Sequence, residues 1–418
     1  MTPSSGITAD TPHAPLRQGT PAYRRLTLAM LFAGFSTFSL LYYVQALLPS
    51  LAADYGLSAE AASLAVSLAT GPLAIGILFA GVLSDRIGRR PVMVWAMVLA
   101  SALTLAASAI PGWHALLALR LLTGLALAGV PAVAMAYVAE EVDAASVGAA
   151  MGLYIAGSGI GGMGGRLVAS LVTDIAGWRW AVGSVGLAGL AMAEAFRRLA
   201  PPSRGFAPAP GGGAGLARIA ALFRDRALPL LYAEAFLLMG IFVTVYNYVG
   251  FRLLAPPYRL SQAAVGLVFL LYILGSASSA AFGSWAGRIG RRRAFWVPIV
   301  ATIAGVVATA ATPLPLVILG IALVTIGFFG AHSIASAWVG RRALANRGQG
   351  TAFYLFFYYL GSSVLGSAGG VAWTRAAWPG VALFCLALAG AALAIAVLLS
   401  RVAPLALPET SVPAPVEP

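Results

Sequence analysis

Two ten-residue stretches decide the fold: residues 81–90 read GVLSDRIGRR, and residues 283–292 read GSWAGRIGRR. They lie 202 positions apart and share their first glycine and the ending Arg-Ile-Gly-Arg-Arg. A second landmark, Gly165, recurs 204 positions later as Gly369. Because the two landmarks keep nearly the same spacing, we infer that the chain is built from two parallel copies of one unit.

The rest of the chain has the composition of a membrane protein. Of its 418 residues, 60% are hydrophobic and 9% are charged, whereas a soluble domain carries about 25% charged residues. A transmembrane helix needs about 20 apolar residues, and unbroken apolar runs favour helices over barrel strands. Twelve segments meet that length: 26–50, 61–83, 92–111, 114–138, 146–172, 178–199, 228–251, 263–286, 294–312, 314–338, 349–373 and 376–400.

The basic residues predict the orientation of these helices. The net charge is +13, and every one of the 26 basic side chains is arginine. The arginines concentrate in alternate loops, which is the positive-inside asymmetry and predicts that both termini are cytoplasmic. In a soluble protein such a charge would indicate nucleic-acid binding. Here it indicates a multi-pass protein of the lipid bilayer, with no nucleic-acid partner.

The longest polar interruption divides the helices six and six. We predict a cytoplasmic tail, a six-helix bundle, a cytoplasmic linker, a second six-helix bundle and a disordered tail, at 1–25, 26–199, 200–227, 228–401 and 402–418. Residues 216–223 of the linker are either an amphipathic surface helix or a loop. The single cysteine, Cys385, excludes an intramolecular disulfide and a cysteine-based metal cluster. We find no metal-ligand spacing, nucleophile elbow or phosphate loop.

The stretch at 81–90 resembles the loop between the second and third helices of the major facilitator superfamily, written G-x-x-x-D-R-x-G-R-R/K. Segments 43–49, 246–252 and 332–342 are similar to bacterial twelve-helix efflux permeases of the drug and arabinose type. The resemblance implies an all-α integral membrane protein, with twelve transmembrane helices in two pseudo-symmetric six-helix bundles. It also implies a proton-driven antiporter of the bacterial inner membrane, which carries a small-molecule substrate without a cofactor. We expect a monomer.

Charged residues around the 81–90 stretch predict a gating latch between the halves. Asp85 can interact with the positive end of a neighbouring helix, and glycines permit close packing. The predicted latch residues are Gly81, Asp85, Arg86, Gly88, Arg89, Arg90, Glu140 and Glu141. The alternative is that these arginines serve only topology. In the second copy Gly287 replaces the acid, so the latch is not symmetric.

Ionisable residues within the apolar segments are candidates for proton coupling or substrate binding, because charge inside a membrane is costly and usually faces a polar cavity. They are Arg120, Glu234, His332 and Arg166. Arg120 begins an Arg-x-x-x-Gly pattern that resembles a motif of proton-coupled family members. The alternatives are snorkelling arginines, a glutamate paired with an interfacial arginine, and a histidine bonded to a helical neighbour. Polar residues expected at the substrate cavity are Tyr42, Gln45, Tyr246, Asn247 and Tyr358.

The fifth segment carries a glycine-rich run. Gly157, Gly161 and Gly165 are spaced four apart, which predicts close helix packing. The run also matches a dinucleotide fingerprint, but no strand precedes it, which excludes that reading. It resembles the fifth-helix motif of drug:proton antiporters without their Gly-Pro pair.

Two other functions stay open. A proton-coupled importer of sugars or organic acids would use the same fold, because function is determined by the site. A membrane enzyme or a sensor without transport is the other class, and the sequence has no catalytic constellation that favours an enzyme.

Overall fold

The computed structural model describes residues 15–203 and 215–403. The predicted disordered tail at 402–418 lies almost wholly outside these ranges, as do the first fourteen residues and the middle of the predicted linker. Within the described ranges the chain is almost entirely helical, and its long helices follow the order that hydropathy predicted.

The first half contains six long helices. They are α1 (Pro21–Tyr55), α2 (Ala59–Ile87), α3 (Arg89–Ala109), α4 (Trp113–Leu127, continued by Ala134–Glu141), α5 (Val147–Ala176) and α6 (Trp178–Leu199). Side-chain caps fix where two of them start: the Thr20 hydroxyl accepts from the Tyr23 amide at 3.2 Å, and the Ser58 hydroxyl accepts from the Ala61 amide at 3.1 Å. Such caps satisfy amides that have no partner inside the helix.

The second half repeats this pattern. Its helices are α7 (Leu228–Leu254), α8 (Gln262–Ile289), α9 (Arg291–Thr309), α10 (Leu314–Arg342), α11 (347–375) and α12 (378–401). The last two are separated at Ala376 and Ala377, whose backbone angles are not helical. Within the described ranges, nine helices are long and apolar enough to cross a membrane, one of which, Arg347–Arg401, contains both α11 and α12. With α4 and α6 they complete the predicted twelve, and the all-α membrane fold is confirmed.

The loops give the bundle two different ends. The turn between α2 and α3 and the turn between α8 and α9 lie at one end, together with the arginines that follow each motif. We call this the Arg-rich end, and the other the opposite end. Gly88 and Gly290 make these two turns with φ of 95° and 94°, a conformation that favours glycine. The repeated sequence therefore produces a repeated turn.

Glycine-lined contacts repeat in the two halves. A methyl group built on Gly157 of α5 would collide with the Leu31 carbonyl of α1. In the same way, one built on Gly361 of α11 would collide with the Phe236 carbonyl of α7. Because no side chain stands between the backbones, each pair of helices packs as one tight unit.

The fourth helix differs from the prediction of one continuous segment at 114–138. It is interrupted between Leu127 and Ala134. Pro131 lies in this interval and has no amide hydrogen to donate to a helical carbonyl. The sequence signal, Gly-Val-Pro at 129–131, was present and accounts for the break.

A short segment precedes each half and packs against that half. The Leu16 amide donates to the Glu141 carbonyl at 2.8 Å, and the Asp143 amide donates to the Leu16 carbonyl at 3.0 Å. Before the second half, Gly215–Arg224 forms a helix, which is the first of the two alternatives for the linker. Its ring at Phe223 packs edge-on against Phe353.

Candidate functional site

The two halves are joined by hydrogen bonds on the side of the bundle that faces away from the Arg-rich end. Among the described residues, Ser67 of α2 shares a bond of 2.6 Å with Ser367 of α11, and the Ser363 hydroxyl donates to the Ser67 carbonyl at 2.9 Å. The Gln262 amide of α8 donates to the Ala46 carbonyl of α1 at 2.6 Å. This conformation is therefore closed toward the opposite end.

A buried polar chain runs across the interface between the halves. The Arg166 Nε donates to Gln45 Oε1 at 2.8 Å, and Gln45 Nε2 donates to Asn247 Oδ1 at 2.7 Å. Asn247 Nδ2 donates to the Gly366 carbonyl at 3.4 Å, and Arg166 Nη1 donates to the Gly162 carbonyl at 2.5 Å. We call Arg166, Gln45 and Asn247 the central network. It links α5 and α1 of the first half to α7 of the second.

Aromatic rings from both halves surround the arginine of this network. The Arg166 guanidinium carbon lies 4.7 Å from the ring centre of Tyr42, 5.3 Å from that of Phe269 and 5.1 Å from that of Tyr272. Tyr246 stacks on Phe269 at 5.6 Å. Ring faces attract cations, so these walls are electrostatically suited to the guanidinium.

A second polar group lies in the second half, nearer to the Arg-rich end. Glu234 of α7 is fully buried, and neither of its carboxyl oxygens has a hydrogen-bond partner among the described residues. Tyr354 of α11 interacts electrostatically with it. The Tyr354 hydroxyl is also 2.9 Å from His332 Nδ1 of α10. We call Glu234, Tyr354 and His332 the carboxylate cluster.

Tyr358 lies between the two groups. Its ring centre is 4.9 Å from that of His332, and it interacts electrostatically with Tyr42 and Arg166. The structure thus places Tyr42, Gln45 and Asn247 with the arginine, and connects them to the carboxylate cluster through one aromatic residue of α11.

Arg120 is occupied by backbone groups. Its guanidinium donates to the carbonyls of Leu40 at 2.9 Å, Leu41 at 2.5 Å and Ala65 at 2.9 Å, and it lies over the Tyr43 ring at 5.3 Å. These contacts hold α1, α2 and α4 together. The side chain is 1% exposed, which is not the position of a snorkelling residue. A role of Arg120 in proton transfer stays a prediction.

Part of the predicted latch is assembled at the Arg-rich end. Arg89 donates to Glu140 at 2.8 Å and also pairs with Asp85, and both acids belong to the first half. Arg90 donates to the Arg197 carbonyl at the end of α6 at 2.6 Å. In this conformation the Asp85, Arg89 and Glu140 side chains therefore form a cluster within the first half.

The remaining residues of the predicted latch differ in how exposed they are. Arg86 is exposed, whereas Glu141 is buried near the end of α4. A methyl group on Gly81 would meet no atom within 4 Å. Any contact of this motif with the second half stays a prediction for another conformation.

The second half has an ion pair that sequence reasoning missed. Arg342, at the end of α10, donates to Asp225 at 2.8 Å and 2.9 Å, and Asp225 also accepts from the amides of Ala227 and Leu228. Partial burial would raise the pKa of Asp225, but Arg342 and these two amides hold it below its usual range. Asp225 lies three residues before the start of α7 at Leu228, and an acid at a helix start is a sequence signal that could have revealed it.

Comparison with known proteins agrees with this architecture. The family model described as Major Facilitator Superfamily matches residues 26–261. The Escherichia coli (strain K12) inner membrane transport protein YnfM is 44% identical over 385 residues, which is 89% of this chain and 90% of that protein. The MFS-type transporter YybF of Bacillus subtilis (strain 168) is 44% identical over 368 residues, 88% of this chain and 91% of that protein.

Solved structures show the same fold. A crystal structure of a bacterial homologue of the human lysosomal transporter Spinster aligns with a TM-score of 0.73 and 15% identity, covering 92% of this chain and 98% of that one. Sequence and architecture thus agree, and the chain belongs to the major facilitator superfamily of membrane transporters.

Proposed function

We propose that the protein is a secondary active transporter that moves a small molecule by alternating access and couples this movement to protons. The observation that carries the proposal is the distribution of hydrogen bonds between the halves. Among the described residues they join α1 to α7 and α8, and α2 to α11, away from the Arg-rich end. Two halves that are locked together at one side can rock about the site between them.

The carboxylate cluster supports proton coupling. An unpaired carboxylate charge inside a membrane is strongly disfavoured, which favours the neutral, protonated acid at Glu234. Access of water during rocking would let the proton leave. Tyr354 interacts electrostatically with Glu234 and lies 2.9 Å from His332 Nδ1, so the same cluster contains an imidazole that can accept a proton.

The proposed location is the bacterial inner membrane, with the Arg-rich end and both termini in the cytoplasm and a monomer as the working unit. The arginine distribution along the sequence supports this orientation. With that orientation, the conformation described above is closed toward the outside.

The direction of transport gives two candidates. Resemblance of segments 43–49, 246–252 and 332–342 to efflux permeases favours proton-driven efflux of drugs or sugars. The second candidate is proton-coupled import of organic acids, which the buried cation Arg166 favours because it has no acid beside it. A sugar importer shares the fold but has no comparable support from the site.

Transport by the purified protein in proteoliposomes with an imposed pH gradient tests this proposal. The panel contains lipophilic drugs, pentoses and organic acids. Movement of a compound against protons supports efflux, and movement together with protons supports import. If every compound moves at the rate of protein-free liposomes, at every gradient, the transport proposal is wrong.

A further inference from the structure

The membrane interior of this protein contains a positive charge that no acid neutralises. Among the described residues, four carboxylate or guanidinium side chains are buried: Arg120, Glu141, Arg166 and Glu234. Glu141 lies near the end of α4, far along the chain from the central network. Glu234 belongs to the carboxylate cluster, where it interacts electrostatically with Tyr354. Arg166 is therefore surrounded by neutral groups.

Arg120 and Arg166 differ in how much of their hydrogen-bonding capacity the protein uses. Arg120 donates to three backbone carbonyls on two other helices, so its hydrogen-bonding capacity is used by the fold. Arg166 has two neutral acceptors, the Gln45 amide oxygen and the Gly162 carbonyl of its own helix. Its second terminal nitrogen, Nη2, has no hydrogen-bond partner among the described residues. A guanidinium with a free donor can bind a further acceptor.

Arg166 lies between the two halves, at the depth where transporters of this kind bind their substrates. It lies on α5, ten residues from the helix end at Ala176, which is about 15 Å at 1.5 Å per residue. That places it near the bilayer midplane, on the side of the opposite end. Its walls come from both halves, with Tyr42 on α1 and both Phe269 and Tyr272 on α8.

We propose that Arg166 binds the carboxylate of an aromatic organic acid, and that this is the substrate class of the transporter. The inference rests on the transport function proposed above. A guanidinium and a carboxylate can form two parallel hydrogen bonds, the strongest pairing that arginine offers. The rings of Tyr42, Phe269 and Tyr272 provide apolar faces against which an aromatic body stacks.

Binding of the acid also affects the contact between the halves. Gln45 Oε1 now accepts from Arg166, while Gln45 Nε2 donates to Asn247 in the other half. A substrate carboxylate would compete for Arg166 and leave Gln45 without this anchor. The bond from Gln45 to Asn247 would then be weakened, so the substrate would favour separation of the halves at the opposite end.

The test uses pairs of compounds that differ in charge but not in shape. Purified full-length protein is heated in detergent with benzoate or 4-hydroxybenzoate, and with benzamide or 4-hydroxybenzamide as neutral partners. We expect the acids to raise the unfolding temperature and the amides to leave it unchanged. Substitution R166Q should weaken the effect of the acids by about tenfold or more in apparent affinity, because charge-assisted hydrogen bonds are lost.

Two further variants separate binding from folding and from gating. R166K keeps the charge, so it should keep the preference for acids over amides at lower affinity. Q45L removes the present partner of Arg166, so it can change the affinity but should keep the preference for acids over amides. If Arg166 served only to hold Gln45, Q45L would lose the response just as R166Q does.

Several results would overturn the inference: no stabilisation by either acid, equal stabilisation by the amides, or an acid response that R166Q does not change. Counterflow in proteoliposomes keeps this failure distinct from failure of the proposed function. If a neutral compound is transported at the same rate by the wild type and by R166Q, the protein is a transporter but its substrate is not an anion bound by Arg166.

Discussion

Gly157 of α5 lies against the backbone carbonyl of Leu31 in α1, so close that no side chain fits between the two helices. The corresponding position in the second half, Gly361, has the same relationship to the Phe236 carbonyl of α7. These contacts make α1 with α5, and α7 with α11, closely packed helix pairs that recur in the two halves.

Substitution G157A should therefore destabilise the protein, because the added methyl group forces the two backbones apart. Overpacking of this kind costs about 1–3 kcal/mol. The matched control is G152A on the same helix, where a methyl group meets no atom within 4 Å. Thermal unfolding in detergent should show a loss for the first and no loss for the second. Equal behaviour of the two variants would contradict the close contact.

Substitution D85N should lower the transport rate while membrane insertion and substrate binding persist. Asp85 pairs with Arg89 at the Arg-rich end, away from the central network. A partly exposed ion pair is worth about 1 kcal/mol, or roughly a fivefold change in an equilibrium. Transport in proteoliposomes is the measurement, with E194Q as the control, because Glu194 is an equally exposed acid that forms ion pairs with Arg197 and Arg198 outside this motif. If D85N transports at the wild-type rate, the latch hypothesis is wrong.

Substitution E234Q should uncouple transport from protons. Glutamine is close in shape to the protonated acid, so the variant should still exchange substrate across the membrane. Its net transport should no longer respond to a pH gradient, because no proton can be released at this position. Counterflow and gradient-driven transport are compared in the same liposomes. A gradient response equal to that of the wild type would assign coupling to another group.

Substitution R120Q should act on stability rather than on coupling. The three carbonyls of Leu40, Leu41 and Ala65 lose a charged donor, which is worth about 2–3 kcal/mol. We expect a lower unfolding temperature and an unchanged dependence of transport on the pH gradient. Loss of coupling at normal stability would instead show that Arg120 takes part in proton transfer.

The pair of Asp225 and Arg342 predicts a pH dependence of stability. Arg342 lowers the pKa of Asp225 in the folded state, so the pair stabilises the protein above the unfolded pKa of an aspartate, about 3.9. This contribution is lost as the pH falls through the lower, folded value. R342Q should therefore destabilise by about 1 kcal/mol at neutral pH. The difference from the wild type should vanish in strong acid, and a difference that stays constant with pH would contradict the pair.

The sequence predicted the fold well because hydropathy and charge depend on local composition. The twelve helices and the repeat follow from apolar runs and from two copies of one turn. The interruption of α4 was missed because a long apolar run hides a single proline. Residues 216–223 fit both a surface helix and a loop, since a short amphipathic pattern predicts a helix only weakly.

The site was harder to predict because it depends on how each helix is rotated in the bundle. Glu234 and His332 were recognised as unusual residues, but nothing in the sequence pairs them with Tyr354, more than a hundred residues beyond Glu234. Phe269 and Tyr272 looked like ordinary apolar residues of the eighth helix. Only the packed structure brings their rings onto Arg166.

The docking of Leu16 on α4, and of Asp225 on α10, has a consequence for where the chain can be divided. Each half starts with its own leading segment, and that segment is fastened to the fourth helix of the same half. The helix at 215–224 thus precedes the second half as the Leu16 segment precedes the first. A polypeptide divided just before residue 215 would leave every described contact of each copy intact, so co-expression of the two fragments should restore one working molecule.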